Sequence, residues 1–184
     1  RPVTRARTVR DERAPVANLT RNIVIQGADD GHWRNGFGAH VMVMGLQSKI
    51  VIDGVEMRRM GQAGVTARYP LHWHLLSYAD GKLIGDAAGH AVRNSAIWQS
   101  ANRCIVIHAT NGVEVRNNIC HDIAGHAFFL EDAVERRNVF EGNLALTENF
   151  MIAFTALAAF TWLLAARAEP SRRRTVLFLA TGLL

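Results

Sequence analysis

Short β-branched runs recur along this chain with a polar turn residue at the same place in each, and that recurrence constrains the fold more than any other feature. Val51-Ile52-Asp53-Gly54, Val92-Arg93-Asn94-Ser95, Val115-Arg116-Asn117-Asn118 and Arg136-Arg137-Asn138 share one pattern. Its turn position moves from 94 to 117 to 138, in steps of 23 and 21. Between Arg103 and Leu146 the runs Ile105-Val106-Ile107, Val113-Glu114-Val115 and Phe128-Phe129-Leu130 alternate with Asn111-Gly112, Asn117-Asn118 and Glu131-Asp132. Runs this short, bounded by turn residues, read as strands. They are too short for a hairpin sandwich and too close together for intervening helices. A period of this size with one short strand per turn predicts a solenoid of β coils. The larger step from 53 to 94 predicts one coil with an inserted loop over 58–90, which holds His72-Trp73-His74.

Charge separates the chain into three parts. Residues 1–17 carry five Arg against Asp11 and Glu12, an Arg-rich lead-in expected to belong to a longer upstream region. Residues 18–148 hold 12 basic and 13 acidic side chains, so the predicted coils are nearly neutral. Residues 149–184 are basic again through Arg167, Arg172, Arg173 and Arg174. A net charge of +5 that sits at the two ends argues against a nucleic-acid partner, which needs a basic face on the folded domain. Phe150 to Ala166 is seventeen residues without a charge, at the lower limit for spanning a bilayer, and Thr175 to Leu184 is apolar again. The expectation is a transmembrane helix, a basic loop and a truncated second helix, with the coils outside the membrane. A buried helical hairpin and a join to an unrelated reading frame are the alternatives. Cys104 and Cys120 permit one disulfide, and buried free thiols within stacked coils are the expected state.

All eight histidines fall between residues 32 and 126. His72 and His74 stand at i and i+2, on one face of an extended segment. Such a pair can chelate a metal or act as an acid/base couple, with Trp73 between them as a sugar-stacking platform or a packing group. His108 lies on the face opposite Ile105 and Ile107, and His126 shortly precedes Glu131 and Asp132. Carboxylates beside imidazoles are what acid/base work on a glycosidic bond requires. Glu131 and Asp132 would favour calcium, and the imidazoles zinc or a transition metal. The same residues serve equally well as turn caps and surface ladders. Asn22, Asn94, Asn117, Asn118 and Asn138 are assigned to structure, because side-chain amides at solenoid turns pair with neighbouring backbone.

Four strings together carry a resemblance. They are LTRNIVIQG (19–27), the Gly-Gln at 61–62 with RYPLHWHL (68–75), NRCIVIHATNGVEVRNN (102–118) and GHAFFLEDAVERRN (125–138). Over about residues 11–147 the chain resembles the β-helix region of the cell-surface hyaluronidase family, which extends to the fibrocystin-like receptors. At position 127 it has Ala where many members carry Cys. The resemblance implies an all-β, right-handed parallel β-helix over 18–148; the apolar helical segment after it departs from the family, whose chains continue with further domains. It implies an extracellular or cell-surface protein that binds or depolymerises an acidic polysaccharide such as hyaluronan, as a glycosidase, with calcium as a cofactor. His72, His74, His108, His126, Glu131 and Asp132 are the expected catalytic set, with Glu131 and Asp132 as calcium ligands. Arg68, Trp73 and Arg103 are the expected substrate contacts, the two guanidinium forks suiting a uronate carboxylate. The alternatives are a non-catalytic adhesion or assembly module anchored to a membrane, and a truncated fragment without activity. Convergence of the histidines with Glu131 or Asp132 would favour a site, and their scatter over several faces a module.

Overall fold

A computed structural model describes residues 16–146. The chain divides into two units, residues 1–145 and residues 146–184. The coils belong to the first. The expected membrane hairpin of 149–184 lies outside the described residues, among which no helix is long and apolar enough to cross a membrane.

Each coil contributes one strand to each of three sheets. The first coil holds β1 (Ile23–Gln26), a single helical turn α1 (Gly31–Arg34), β2 (Val41–Met44) and β3 (Val51–Asp53). The second holds β4 (Val55–Met60), β5 (Leu71–His74), a side hairpin of β6 (Tyr78–Ala79) and β7 (Lys82–Leu83), and β8 (Ala91–Arg93). The third is β9 (Ala96–Ser100), β10 (Ile105–His108) and β11 (Glu114–Arg116). The fourth is β12 (Ile119–Ile123), β13 (Phe128–Leu130) and β14 (Val139–Glu141), and β15 (Leu144–Leu146) begins another. The sheets run β1-β4-β9-β12-β15, β2-β5-β10-β13 and β3-β8-β11-β14. Pairing between coils is parallel. This is the solenoid of β coils that the repeat predicted, and a parallel β-helix, as the resemblance implied.

Strand alternation sends one set of residues inward, where identical positions of successive coils stack. Ile25, Met57, Ile97 and Cys120 form one inward column. Val43, Trp73 and Ile107 form a second, and Ile52, Val92 and Val115 a third. These residues are in the hydrophobic core or, for Ile25, packed against it. Each fully buried aliphatic side chain contributes roughly 1.5–3 kcal/mol.

The recurrent turn residue has a backbone cause. The strand register brings Gly54, Asn94 and Asn117 to one corner, followed by Gly142 after β14. Their φ values are 65°, 50°, 52° and 64°. Only Gly, and Asn with its short amide, adopt this left-handed conformation cheaply. The amides then form a ladder: Asn94 Nδ2 donates to Asp53 Oδ1 at 2.8 Å, and Asn117 Nδ2 to Asn94 Oδ1 at 3.4 Å. Asn118, fully buried, accepts from the Ser95 N–H and donates to the Val92 carbonyl. Asn138 is also structural, accepting from the Val113 N–H and donating to the Thr110 carbonyl. It stands at a different corner, however, so the fourth place in the series belongs to Gly142 rather than Asn138.

Two expectations need correction. The 58–90 stretch is not one protruding loop, because β4 continues to Met60 and Leu71–His74 is a strand inside the second sheet. The β6–β7 hairpin departs from the coil pattern as an antiparallel pair, and Gln62 bridges Phe37 in the same sense. Gly61, Gln62 and Pro70 interrupt the β-branched pattern on the approach to β5, and histidines occupy its outward positions. The cysteines are not free: Cys104 and Cys120 form a disulfide inside the coil, both fully buried.

Candidate functional site

The site is built on the outward face of the second sheet. In β5, Leu71 and Trp73 point into the core, so His72 and His74 stand on the other face. β10 pairs with β5 with His108 opposite His74, which places three imidazoles on two adjacent strands. Ring centroids lie 5.0 Å apart for His72 and His74, 4.8 Å for His74 and His108, and 6.0 Å for the stacked pair His72 and His108. β13 follows β10 in the sheet and ends at Leu130, and the Glu131 N–H continues the ladder by donating to the Ile107 carbonyl. That delivers Glu131 and Asp132 beside His108.

Backbone and carboxylate partners fix two of the rings. His72 is completely buried, and its Nδ1 lies 3.1 Å from the Ala67 carbonyl oxygen. A carbonyl only accepts, so Nδ1 carries the proton and Nε2 presents a lone pair. Among the described residues that Nε2 has no hydrogen-bond partner, and it faces Glu131 Oε2, which likewise has none, at 3.8 Å. His108 Nε2 lies 3.0 Å from Asp132 Oδ2, while its Nδ1 lies 3.0 Å from His74 Nδ1 and 3.9 Å from Glu131 Oε2. Burial pushes the His72 pKa down to about 4, opposed by the Ala67 carbonyl and reinforced by His74, His108 and His40. Burial also lowers that of His74, with His108 adding to the shift and the two carboxylates opposing it. His72 and His74 are therefore held toward the neutral form at physiological pH.

Glu131 is held from its other side. Tyr69 OH donates to Glu131 Oε1 at 3.1 Å, and Arg103 Nη1 donates to Tyr69 OH at 2.7 Å while standing 3.6 Å from Glu131 Oε1. The Arg103 guanidinium lies 4.0 Å from the Phe129 ring centroid and 5.2 Å from that of Tyr69. Two depressions flank the cluster. One, of about 320 Å³, lies toward the strand starts and is lined by Tyr69, Asn102, Arg103 and His126 among others. The other, of about 520 Å³, lies beyond the strand ends against Leu75, Ala109 and Asp132.

The expected residues thus divide. His72, His74, His108, Glu131, Asp132 and Arg103 converge. His126 does not join them: it is exposed, stacks on Phe129 at 4.8 Å and lies on the rim of the first depression. Arg68 faces His40, whose pKa is lowered by burial and then by that guanidinium. Trp73 is fully buried and donates its indole N–H to His90 Nδ1 at 3.2 Å, so it offers no surface to a sugar. Alternation decides this: if His72 and His74 face out, Trp73 faces in. Nor do Glu131 and Asp132 form an oxygen cage for calcium, which takes six to eight oxygens. Glu131 turns to Tyr69, Arg103 and His72, and Asp132 to His108. Among the described residues, the group whose donor atoms converge closely enough for a cation is His72, His74 and His108. Tyr69 was missed as a site residue, although Tyr69-Pro70 stands immediately before β5. A residue before proline is held extended, which marks it as part of the strand entry.

Comparison with known proteins agrees with this fold. The chain is 37 % identical over 150 residues to a Danio rerio protein named cell surface hyaluronidase, covering 74 % of this chain and 10 % of that one. It is 40 % identical over 148 residues to cell surface hyaluronidase CEMIP2 of Homo sapiens, with coverage of 74 % and 10 %. It is also 37 % identical over 136 residues to protein rliB of Dictyostelium discoideum, with coverage of 74 % and 11 %. The chain spans about a tenth of the length of these curated relatives. Residues 36–170 match the family model described as the CEMIP β-helix, extending past residue 147, where the resemblance was expected to end. With that model covering well over half of its residues, the chain belongs to the CEMIP β-helix family.

Proposed function

We propose that this chain is the polysaccharide-engaging β-helix of an extracellular protein that binds and depolymerises an acidic glycan of the hyaluronan type. The observation that carries the reading is the convergence of His72, His74 and His108 with Glu131 and Asp132 on one outward face, between two depressions. A polymer lying across that face meets imidazoles and carboxylates at its centre. Arg103 is about a quarter exposed at the edge of the cluster and supplies the positive charge for a uronate. Glu131 and the adjacent imidazoles are the groups able to move a proton at a glycosidic oxygen. In this reading the coil is right-handed, following the handedness of parallel crossovers. The Cys104–Cys120 disulfide suits an oxidising, extracellular setting, and the names of the relatives support a cell-surface location. The apolar segments within 149–184 would attach the chain to a membrane.

A second reading, binding without cleavage, is favoured by one observation. Both carboxylates are already engaged, Asp132 by His108 and Glu131 by Tyr69 and Arg103. The two readings separate in one experiment with the 184-residue chain, hyaluronan, unsulfated chondroitin and a neutral glucan. Falling viscosity with new reducing ends on the acidic polymers alone is expected for the depolymerase. Retention on immobilised hyaluronan without new ends would make the chain a binding module, and neither retention nor cleavage would refute both.

A further inference from the structure

We infer that His72, His74 and His108 form a binding site for a first-row transition metal of the zinc class, with Glu131 beside the open coordination position. The inference deepens the proposed function, since it concerns the same face, but its geometry stands apart from any polysaccharide.

Two of the three lone pairs are already aimed, and a metal would displace the proton that His74 and His108 share. The Ala67 carbonyl takes the proton side of His72, leaving Nε2 free. Asp132 takes the Nε2 side of His108, leaving Nδ1 as the lone-pair side turned toward His74, which is the carboxylate–histidine arrangement that orients metal ligands. His74 contributes Nδ1, which faces His108 Nδ1 at 3.0 Å. The three donor atoms all lie within 4.8 Å of one another. Tetrahedral zinc, with Zn–N distances of 2.0–2.1 Å, separates two imidazole nitrogens by about 3.3 Å. From a largest separation of 4.8 Å, the donor atoms close by about 1.5 Å to reach that geometry.

A second observation points to a cation independently of this clustering. The His72 side chain is completely buried, yet among the described residues its Nε2 has no hydrogen-bond partner, nor has the atom opposite it, Glu131 Oε2. With the proton of His72 on Nδ1, both atoms are acceptors, and no described residue donates to either. A metal ion accepts electron density from both. The strand pairing holds the ligands in place beforehand: His72 and His74 share β5, and His108 is locked opposite His74 in β10. Three nitrogens with one nearby carboxylate suit zinc, copper, nickel or cobalt, and exclude the oxygen-rich coordination that calcium and magnesium require.

The test uses the full chain, stripped with a chelator and desalted, with no polysaccharide present. Zinc is titrated against a chromophoric indicator, and cobalt(II) is titrated while its visible absorption is followed. One equivalent of tight binding is expected, with a tetrahedral or five-coordinate cobalt spectrum. His74→Ala should weaken binding at least 100-fold, and Asp132→Asn by about 10–100-fold through its hold on His108. His32→Ala, in the exposed turn of α1, should leave it unchanged. His74 is only half-buried, so this variant retains the core, and an unchanged far-UV spectrum checks that. Stoichiometric zinc binding that survives His74→Ala, displacement of zinc by millimolar calcium, or no binding by a folded chain would each overturn the inference. Each outcome is read without reference to glycan cleavage.

Discussion

Replacing Trp73 by Phe tests the packing that holds the candidate site in place. Trp73 is fully buried, stacks between Val43 and Ile107, and donates its indole N–H to His90 Nδ1 at 3.2 Å. Phe is smaller by about 40 Å³, and at about 24 cal/mol per Å³ of unfilled cavity this costs about 1 kcal/mol. Loss of the hydrogen bond leaves the His90 nitrogen without its donor, for about 1 kcal/mol more. The total of about 2 kcal/mol is a sizeable part of the 5–15 kcal/mol that usually stabilises a domain. The pH dependence gives a second, sharper readout. His90 is held below its ordinary pKa of 6.5 by burial and then by Lys49, with the Ser48 backbone opposing. A folded-state pKa below the unfolded value means the unfolded chain binds the extra proton first. Stability is therefore full above about pH 6.5 and declines as pH falls through the window down to the lowered value. Protonation of Nδ1 would set an N–H against the indole N–H, so wild type carries that acid penalty. Trp73→Phe removes the opposing donor, and its deficit should shrink on acidification. Urea unfolding followed by far-UV circular dichroism, at about pH 7.5 and about pH 5, measures both effects. A midpoint lowered by about 1 M at the higher pH and a narrower gap at the lower pH are expected. A gap that stays constant or widens at acid pH would refute the coupling of Trp73 to His90.

Two further predictions follow from the same framework. Cys104→Ser with Cys120→Ser opens a loop spanning a sequence separation of 16, and should lower stability by about 3 kcal/mol, read as a reductant-insensitive fall in the urea midpoint. Arg103→Met keeps an unbranched stem against Phe129 but removes the charge, so retention on immobilised hyaluronan should fall by about tenfold while any binding to neutral glucan stays the same.

The coil architecture was legible because its corner makes a chemical demand. A left-handed residue is needed wherever β3, β8, β11 and β14 hand over to the next coil, and Gly54, Asn94 and Asn117 announce it. The fourth member was misread because Asn138 looks like its predecessors, whereas Gly142 does the same backbone work without an amide. The β5 strand was hidden for a related reason. Its outward positions carry His72 and His74, and Gly61, Gln62 and Pro70 surround its approach, so residue type suggested a loop where neighbouring strands impose extended backbone. The disulfide was open in the sequence because two cysteines allow a single pairing but do not fix the distance between them. Its formation depends on how the entry to β10 and the strand β12 face each other across the coil interior.

The candidate site was legible as a set of residues but not as a geometry. His72 and His74 are two positions apart and His108 is 34 beyond His74, a separation without meaning until the ladder sets His74 opposite His108. Once that register is fixed, the other assignments follow by alternation. Trp73 must enter the core, which removes it from any substrate surface. His108 must leave the core, and the residue that continues its row is Glu131. His126 lies before β13, its carbonyl accepting from the Cys104 N–H, and its exposed ring stacks on Phe129 instead of joining the cluster. The partner that fixes His72 is a backbone carbonyl, Ala67, which no pattern of side chains encodes. One strand therefore serves two ends: the inward half of Leu71–His74 seals the core, and its outward half positions the imidazoles. A change at Trp73 should reach the site through β5 even though the indole touches none of the three rings' donor atoms, and a change at His74 should leave the core intact. That asymmetry separates a built site from a fortuitous cluster of surface histidines, whose arrangement would not depend on the packing beneath it.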